Sequence, residues 1–109
     1  MYLNSTNKHF HGIMFHHFHD DKNHLRGQGS ISKDDFVNLL KFIGKENILN
    51  AEDFLNRLKE KKLKENNICL TFDDCLKCQF DIAFPVMEDL NIKAFFFIYS
   101  NNTYLAKIM

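Results

Sequence analysis

The sequence predicts an α/β fold in which helices cover a parallel sheet. Three short apolar runs, at 12–16, 68–72 and 94–99, are typical of strands that are buried on both faces. The segments between these runs carry apolar residues at helical spacing. Only four glycines and one proline interrupt the 109 residues, so we expect long elements. Buried strands that alternate with amphipathic helices favour one α/β domain.

Composition and charge exclude several classes of protein. Apolar residues make up 45% of the chain and charged residues 26%, which is typical of a globular domain. Fourteen basic residues balance fourteen acidic ones, and neither half of the chain carries a marked excess. Because no basic face is implied, nucleic acid is not an expected partner.

The sequence also predicts the cellular compartment of the protein. The longest apolar run, Ala94 to Tyr99, is far shorter than the roughly 18–20 residues of a membrane span. The first residues are polar and His-rich, unlike a secretory signal. Three cysteines, an odd number, argue against a secreted disulfide framework. We therefore expect a cytoplasmic protein without a membrane span.

Capping residues predict where the helices begin and end. Ser32 is expected to start the first helix and Gly44 to end it, and Asn50 is expected to start the second. Pro85 should kink the third helix or start a new turn. A final helix is expected from residues 102–103. The apolar side of the third helix is predicted to be Phe80, Ala83, Phe84, Met87 and Leu90.

Two adjacent carboxylates are the strongest candidates for chemistry. Asp73 and Asp74 directly follow the predicted strand at 68–72, at the end where α/β folds collect their sites. One carboxylate of such a pair can bind a metal while its neighbour takes a proton from water. The alternative is that both are acidic residues at the start of the next helix.

The surrounding residues resemble a known family. Residues 68–74, Ile-Cys-Leu-Thr-Phe-Asp-Asp, are similar to the first motif of the polysaccharide deacetylases, the NodB-homology family or carbohydrate esterase family 4. A helix and a Lys-Ala-Phe-Phe-Phe strand follow within 82–98, as in that family. Upstream, residues 13–17 resemble the family's first strand. The resemblance extends over most of the chain.

The resemblance implies a fold and an activity. It implies that residues 1–109 are the N-terminal part of a distorted (β/α) barrel, an incomplete barrel that ends before the family's second metal-ligand motif. It implies a metal-dependent hydrolase that removes N-acetyl groups from sugars or polysaccharide. Asp73 would be the general base and Asp74 a ligand of a divalent metal, most often zinc.

The sequence departs from the family pattern in two ways. Cys75 stands where the family usually has glycine, and we expect it to be tolerated only if its φ is negative. The family's His-x-x-x-His pair does not occur after Asp74, because all six histidines precede residue 25. His16 and His17, at the end of the first strand, are candidates for substrate binding. An incomplete barrel exposes an unpaired strand edge, so we expect an isolated chain that is unstable, that is completed by self-association or a partner chain, or that is a truncated fragment without activity. Of these we favour the truncated fragment.

Other functions stay open. Cys75 and Cys78 form a Cys-x-x-Cys at a strand end, which could serve a thioredoxin-like redox protein. The same pair could join two early histidines in a structural zinc module. A non-catalytic fragment that serves in interaction is a third alternative. Cys69, within a strand, is expected to be a buried apolar residue.

Overall fold

The fold is a mixed α/β structure built on a four-stranded sheet. The computed structural model describes residues 11–100 and 103–109. Its strands are, in chain order, β1 (His11–Phe15), β2 (Phe18–His19), β3 (Ile31–Ser32), β4 (Ile68–Asp73), β5 (Phe95–Ser100) and β6 (Thr103–Ile108). The main sheet has the order β1-β4-β5-β6, and β2 pairs with β3 separately. The predicted α/β class is confirmed, whereas the incomplete barrel stays a prediction.

The first three strands of the main sheet are parallel, as predicted. In β1 and β4, Gly12 is the partner of Cys69 and Phe15 is the partner of Phe72. On the other side of β4, Asp73 is the partner of Phe97 in β5. This register places the carboxyl ends of β1 and β4 side by side.

The predicted final helix is wrong. Thr103–Ile108 is instead β6, which runs antiparallel to β5 from the pair Ser100–Thr103 to the pair Phe95–Ile108. The segment contains threonine, tyrosine and isoleucine, which favour strands, and β5 offers it an edge with unpaired backbone groups. Asn102 lies outside the described residues.

The helices begin close to where the capping residues predict. They are α1 (Lys33–Ile43), α2 (Ala51–Lys59) and α3 (Phe84–Asp89), with a 3₁₀ turn at Lys45–Asn47 and a π-helical turn at Gln79–Ala83. Ser32 and Asp35 form a reciprocal capping box, and Gly44 ends α1 with a φ of 90°. Asn50 occupies the N-cap position of α2, but its side chain instead accepts a hydrogen bond from the Lys93 backbone, 2.8 Å away.

The π-helical turn changes which face of the third helical segment is buried. Ala83 and Met87 are buried as predicted, but the predicted Phe80, Phe84 and Leu90 are only partly buried. The fully or nearly buried positions of this segment also include Cys78, Gln79, Ile82 and Val86. A π turn holds an additional residue, which rotates the apolar face. Pro85 lies in the first turn of α3, where its missing N–H is tolerated.

Phenylalanine rings fill the core under the carboxyl half of the sheet. Phe72 is fully buried, and its ring stacks on Phe96 with a centroid distance of 4.6 Å. Phe15, Phe18 and Phe36 pack around it, with ring centroids 5.3 to 6.3 Å from that of Phe72. These contacts hold α1 against β1 and β4, directly below the strand ends.

In the described part of the chain, no helix is both long enough and apolar enough to cross a membrane. The predicted cytoplasmic location stays a prediction.

Candidate active site

Three predicted site residues meet at the carboxyl ends of β1 and β4. The Nε2 atom of His16 lies 3.3 Å from Oδ2 of Asp73 and 3.5 Å from Oδ2 of Asp74. The side chains of His16 and Asp74 are about half exposed, at 44% and 50%, and that of Asp73 is 21% exposed. The cluster is therefore open to solvent while its backbone is anchored in the sheet. A protonated His16 is within ion-pair distance of both carboxylates.

The sheet register explains why these side chains meet. The last β1–β4 pair is Phe15 with Phe72, and these two rings are directed into the core. Side chains alternate along a strand, so the next residues, His16 and Asp73, point to the opposite face. Two adjacent parallel strands thus supply an imidazole and a carboxylate at the same edge.

A left-handed turn follows β4. Asp74 has a φ of 69° and Cys75 a φ of 51°. Aspartate tolerates this region because its short side chain can bond to the local backbone, whereas cysteine has no such compensation. The condition under which cysteine would be tolerated here, a negative φ, is not met. The position that is usually glycine in the family is therefore strained here by a β-carbon.

Three other histidines in the described part of the chain lie apart from the aspartate pair. His17 is exposed, with its ring centroid 6.3 Å from that of His16. His19 is buried, and its Nδ1 lies 2.8 Å from the Ser30 hydroxyl. Nε2 of His24 lies 2.8 Å from Oδ2 of Asp81, which belongs to the π-helical turn. His16 is therefore the histidine that the described contacts place against the aspartate pair.

The contact of His24 belongs to a small ionic cluster beside the site. Lys77 Nζ donates to Oδ2 of Asp81 over 2.6 Å, and His24 Nε2 contacts the same oxygen. The hydrogen bond from Lys77, followed by that from His24, lowers the pKa of Asp81. This cluster ties the loop after β2 to the helix that follows Asp74.

Sequence reasoning missed Gln79. Its side chain is fully buried, and its Nε2 donates to the backbone carbonyls of His16, over 2.8 Å, and Asp73, over 2.6 Å. These are the two residues whose side chains meet at the site. The available signal was a glutamine between the apolar residues Cys78 and Phe80 on a buried helix. That signal does not identify the partners of the amide.

The cysteines do not form a second site in the described geometry. All three are free thiols. Cys69 is 3% exposed, as expected for an apolar residue, and its burial raises the pKa of the thiol to about 11. Cys78 is also buried, and its Sγ accepts a hydrogen bond from the Phe18 backbone over 3.4 Å. Cys75 is partly buried in the left-handed turn.

The donors at the site fit zinc in type but not in arrangement. Imidazole and carboxylate are usual zinc ligands, and a catalytic zinc normally has three of them. In the described residues, no group of three or more His, Cys, Asp or Glu side chains is arranged to hold a metal ion. The described cluster therefore does not amount to a zinc centre by itself.

The comparisons with known proteins agree with the sequence resemblance. Residues 60–107, which include the aspartate pair and Gln79, match the family model for polysaccharide deacetylase. The resemblance to polysaccharide deacetylases is confirmed. A similar solved structure is a de-N-acetylase from Aggregatibacter actinomycetemcomitans, with a TM-score of 0.60 and 19% sequence identity. No curated protein matches the chain significantly.

The similarity to the de-N-acetylase covers only part of that protein. The structural alignment covers 89% of this chain but 45% of the de-N-acetylase, so the chain spans less than half of that protein. At this identity the likeness establishes the fold alone. His16 lies outside the segment that matches the polysaccharide deacetylase model, and its place at the site comes from the sheet. Neither comparison favours the thioredoxin-like alternative.

Proposed function

We propose that this chain supplies part of the active site of a hydrolase that removes N-acetyl groups from sugars or polysaccharide. The observation that supports this most is the meeting of His16, Asp73 and Asp74 at the ends of adjacent parallel strands. Both aspartates lie in the segment that matches the polysaccharide deacetylases. In this proposal, residues 1–109 are the N-terminal part of a (β/α) barrel.

Asp73 is the general base of the proposed reaction. Its carboxylate is anchored at the end of β4 and is partly exposed, so a water molecule can reach it. As the water oxygen attacks the acetyl carbonyl carbon, the carboxylate takes its proton. The same proton then passes to the nitrogen as the carbon–nitrogen bond breaks, which releases acetate and a sugar amine. His16 lies beside this base and, with His17, is proposed to bind the sugar.

Asp74 is proposed as one ligand of a divalent cation, most often zinc in this family. The other ligands must come from protein outside the described cluster, since that cluster does not provide a three-ligand set. We propose that a second copy or a partner chain completes the barrel and supplies them. Light scattering distinguishes these two arrangements, because a chain that stays monomeric at all concentrations contradicts self-association and leaves the partner chain.

The metal proposal is tested by isothermal titration of the 109-residue chain with Zn²⁺. If a second copy completes the site, we expect stoichiometric binding that is lost in Asp74→Asn and kept in the control Asp89→Asn, an exposed carboxylate at the last turn of α3. If a different partner chain completes it, the 109-residue chain alone should not bind Zn²⁺. Circular dichroism of each sample verifies the fold. Binding that survives Asp74→Asn but is lost in Cys75→Ser would instead favour the thiol site.

The activity proposal is tested by acetate release from N-acetylglucosamine oligomers. Asp73→Asn should abolish release while the chain stays folded, because the amide cannot accept the proton. Asp89→Asn again serves as the control. Release that continues in Asp73→Asn contradicts the assigned base. A folded wild-type chain that releases no acetate, with and without Zn²⁺, would support the non-catalytic alternative.

A further inference from the structure

The side chain of Gln79 joins the two strands at the point where their backbone pairing stops. The register of β1 and β4 ends at Phe15 and Phe72. One residue further, the amide nitrogen of Gln79 donates to the carbonyls of His16 and Asp73 at once. The side chain of Gln79 thus takes the place of backbone pairing at His16 and Asp73, the two residues whose side chains meet at the site.

A primary amide suits this position chemically. One nitrogen with two N–H groups can reach two carbonyls, while the amide oxygen still accepts a third hydrogen bond. In Gln79 that oxygen accepts from the Leu76 backbone over 3.3 Å, just after the left-handed turn. A glutamate would bring a carboxylate against two carbonyl oxygens, and a methionine of similar size would leave both carbonyls without this donor.

The side chain of Gln79 is completely buried. Because the amide has no exposed surface, its N–H groups depend on these two carbonyls for their hydrogen bonds, and a lower local dielectric strengthens such bonds. The surrounding π-helical turn begins at Gln79 itself. Such turns often occur at functional sites, where the additional residue redirects a side chain.

We propose that Gln79 is a positioning residue that sets the separation of His16 and Asp73. It holds the backbone of both residues, and this spacing brings Nε2 of His16 to 3.3 Å from the Asp73 carboxylate. The role of Gln79 in catalysis rests on the proposed function. The geometric role does not, and it can be measured whether or not the chain hydrolyses a substrate.

The test uses nuclear Overhauser effects in the full 109-residue chain. The first contact is between the His16 ring and the Asp73 β protons, and the second is between the rings of Phe15 and Phe72, whose centroids are 5.3 Å apart. In Gln79→Met we expect the first contact to weaken strongly and the second to persist. Loss of the His16–Asp73 contact without loss of the Phe15–Phe72 contact distinguishes a positioning role from general destabilisation.

Thr71→Val is the matched control. The Thr71 hydroxyl also links β4 to β1, donating to the Ile13 carbonyl over 3.1 Å, two residues before Asp73. This variant removes a comparable link between the same strands, and it should retain both contacts. A His16–Asp73 contact of wild-type intensity in folded Gln79→Met would overturn the proposal.

A measurement on the wild-type chain decides the case in which Gln79→Met does not fold. Scalar couplings across hydrogen bonds should connect the side-chain nitrogen of Gln79 with the carbonyl carbons of His16 and Asp73. Their absence from a spectrum that contains the backbone couplings between β1 and β4 would overturn the proposal, and their presence would support it.

Kinetics test the catalytic role of Gln79 separately. Where the wild-type protein releases acetate, Gln79→Met should lower kcat on the order of tenfold and change KM little, because a displaced base mainly affects the chemical step. An unchanged kcat together with a lost His16–Asp73 contact would refute the catalytic role and leave the geometric one. Absence of activity in the wild type refutes the proposed function alone.

Discussion

The body of the β1–β4 strand pair and its carboxyl end are stabilised in different ways. The body has a continuous backbone register and a buried group of phenylalanine rings beneath it. At the end, the site side chains are 21% to 50% exposed, and the backbone depends on Gln79 and a left-handed turn. Packing is distributed over many contacts, whereas hydrogen bonds at the end are few and directional. Substitutions in the body should therefore change stability the most, and substitutions at the end should change stability less and also alter the geometry of the site.

The largest effect is expected from Phe72→Ala, which removes the central ring of the body. Phe72 is fully buried and contacts rings from β1, α1 and β5. We expect the free energy of unfolding to fall by about 4 kcal/mol, from lost burial and the cavity that remains. Urea unfolding followed by circular dichroism measures this loss.

Phe42→Ala is the control for that experiment. Phe42, on α1, is 88% exposed, so the same substitution should change the free energy of unfolding by less than about 0.5 kcal/mol. Similar losses in the two variants would contradict the assignment of the core to the body of the strand pair.

Gln79→Met should have the next largest effect on stability. It removes two partly buried hydrogen bonds to backbone carbonyls, at about 1 kcal/mol each, for an expected loss of about 2 kcal/mol. Thr71→Val, which removes one partly buried hydrogen bond, should cost about 1 kcal/mol. Urea unfolding of both variants measures the difference. A smaller loss for Gln79→Met than for Thr71→Val would mean that the end depends less on directional contacts than we infer.

Much of the fold could be predicted from the sequence because its signals are local. The apolar runs of β1, β4 and β5 and the capping box at Ser32 each act within a few residues. The strand β6 could not be predicted, because the unpaired edge of β5 decides its conformation. The buried face of the third helical segment was also shifted, since the π turn that rotates it has no clear pattern in the sequence.

The site residues also fall into those with a local sequence signal and those whose role depends on distant parts of the chain. Asp73 and Asp74 could be identified because they directly follow a strand, and His16 because it follows a neighbouring one. Gln79 could not be identified, since its role depends on the distance between two carbonyls from distant parts of the chain. The strain at Cys75 is likewise a property of the backbone.

Cys75→Gly should raise stability at the carboxyl end. A non-glycine residue in the left-handed region costs about 1 kcal/mol, and glycine removes that cost while adding some entropy to the unfolded chain. We expect the free energy of unfolding to increase by about 0.5–1 kcal/mol. Cys75→Ala, which keeps the β-carbon, is the control and should give no such gain. An equal gain in both variants would assign the effect to the thiol and not to the backbone.

The smallest effect should come from the ionic cluster beside the site. The pKa of Asp81 is lowered in the folded chain, mainly by Lys77 and then by His24. Its contribution to stability is therefore present above the usual carboxyl pKa of 3.8 and is lost as the pH falls through the lower folded value. Both Asp81 and Lys77 are solvent-accessible, which keeps the effect small.

Asp81→Asn should make stability less steeply dependent on pH below about 4. Asp20 and Asp21, whose pKa values are also lowered, preserve the rest of the slope. Urea unfolding between pH 7 and pH 3 measures the slopes, with Lys77→Met as the comparison that removes the main cause. If Asp81→Asn alters the slope equally with and without Lys77, the ion pair is not the source of the pH dependence.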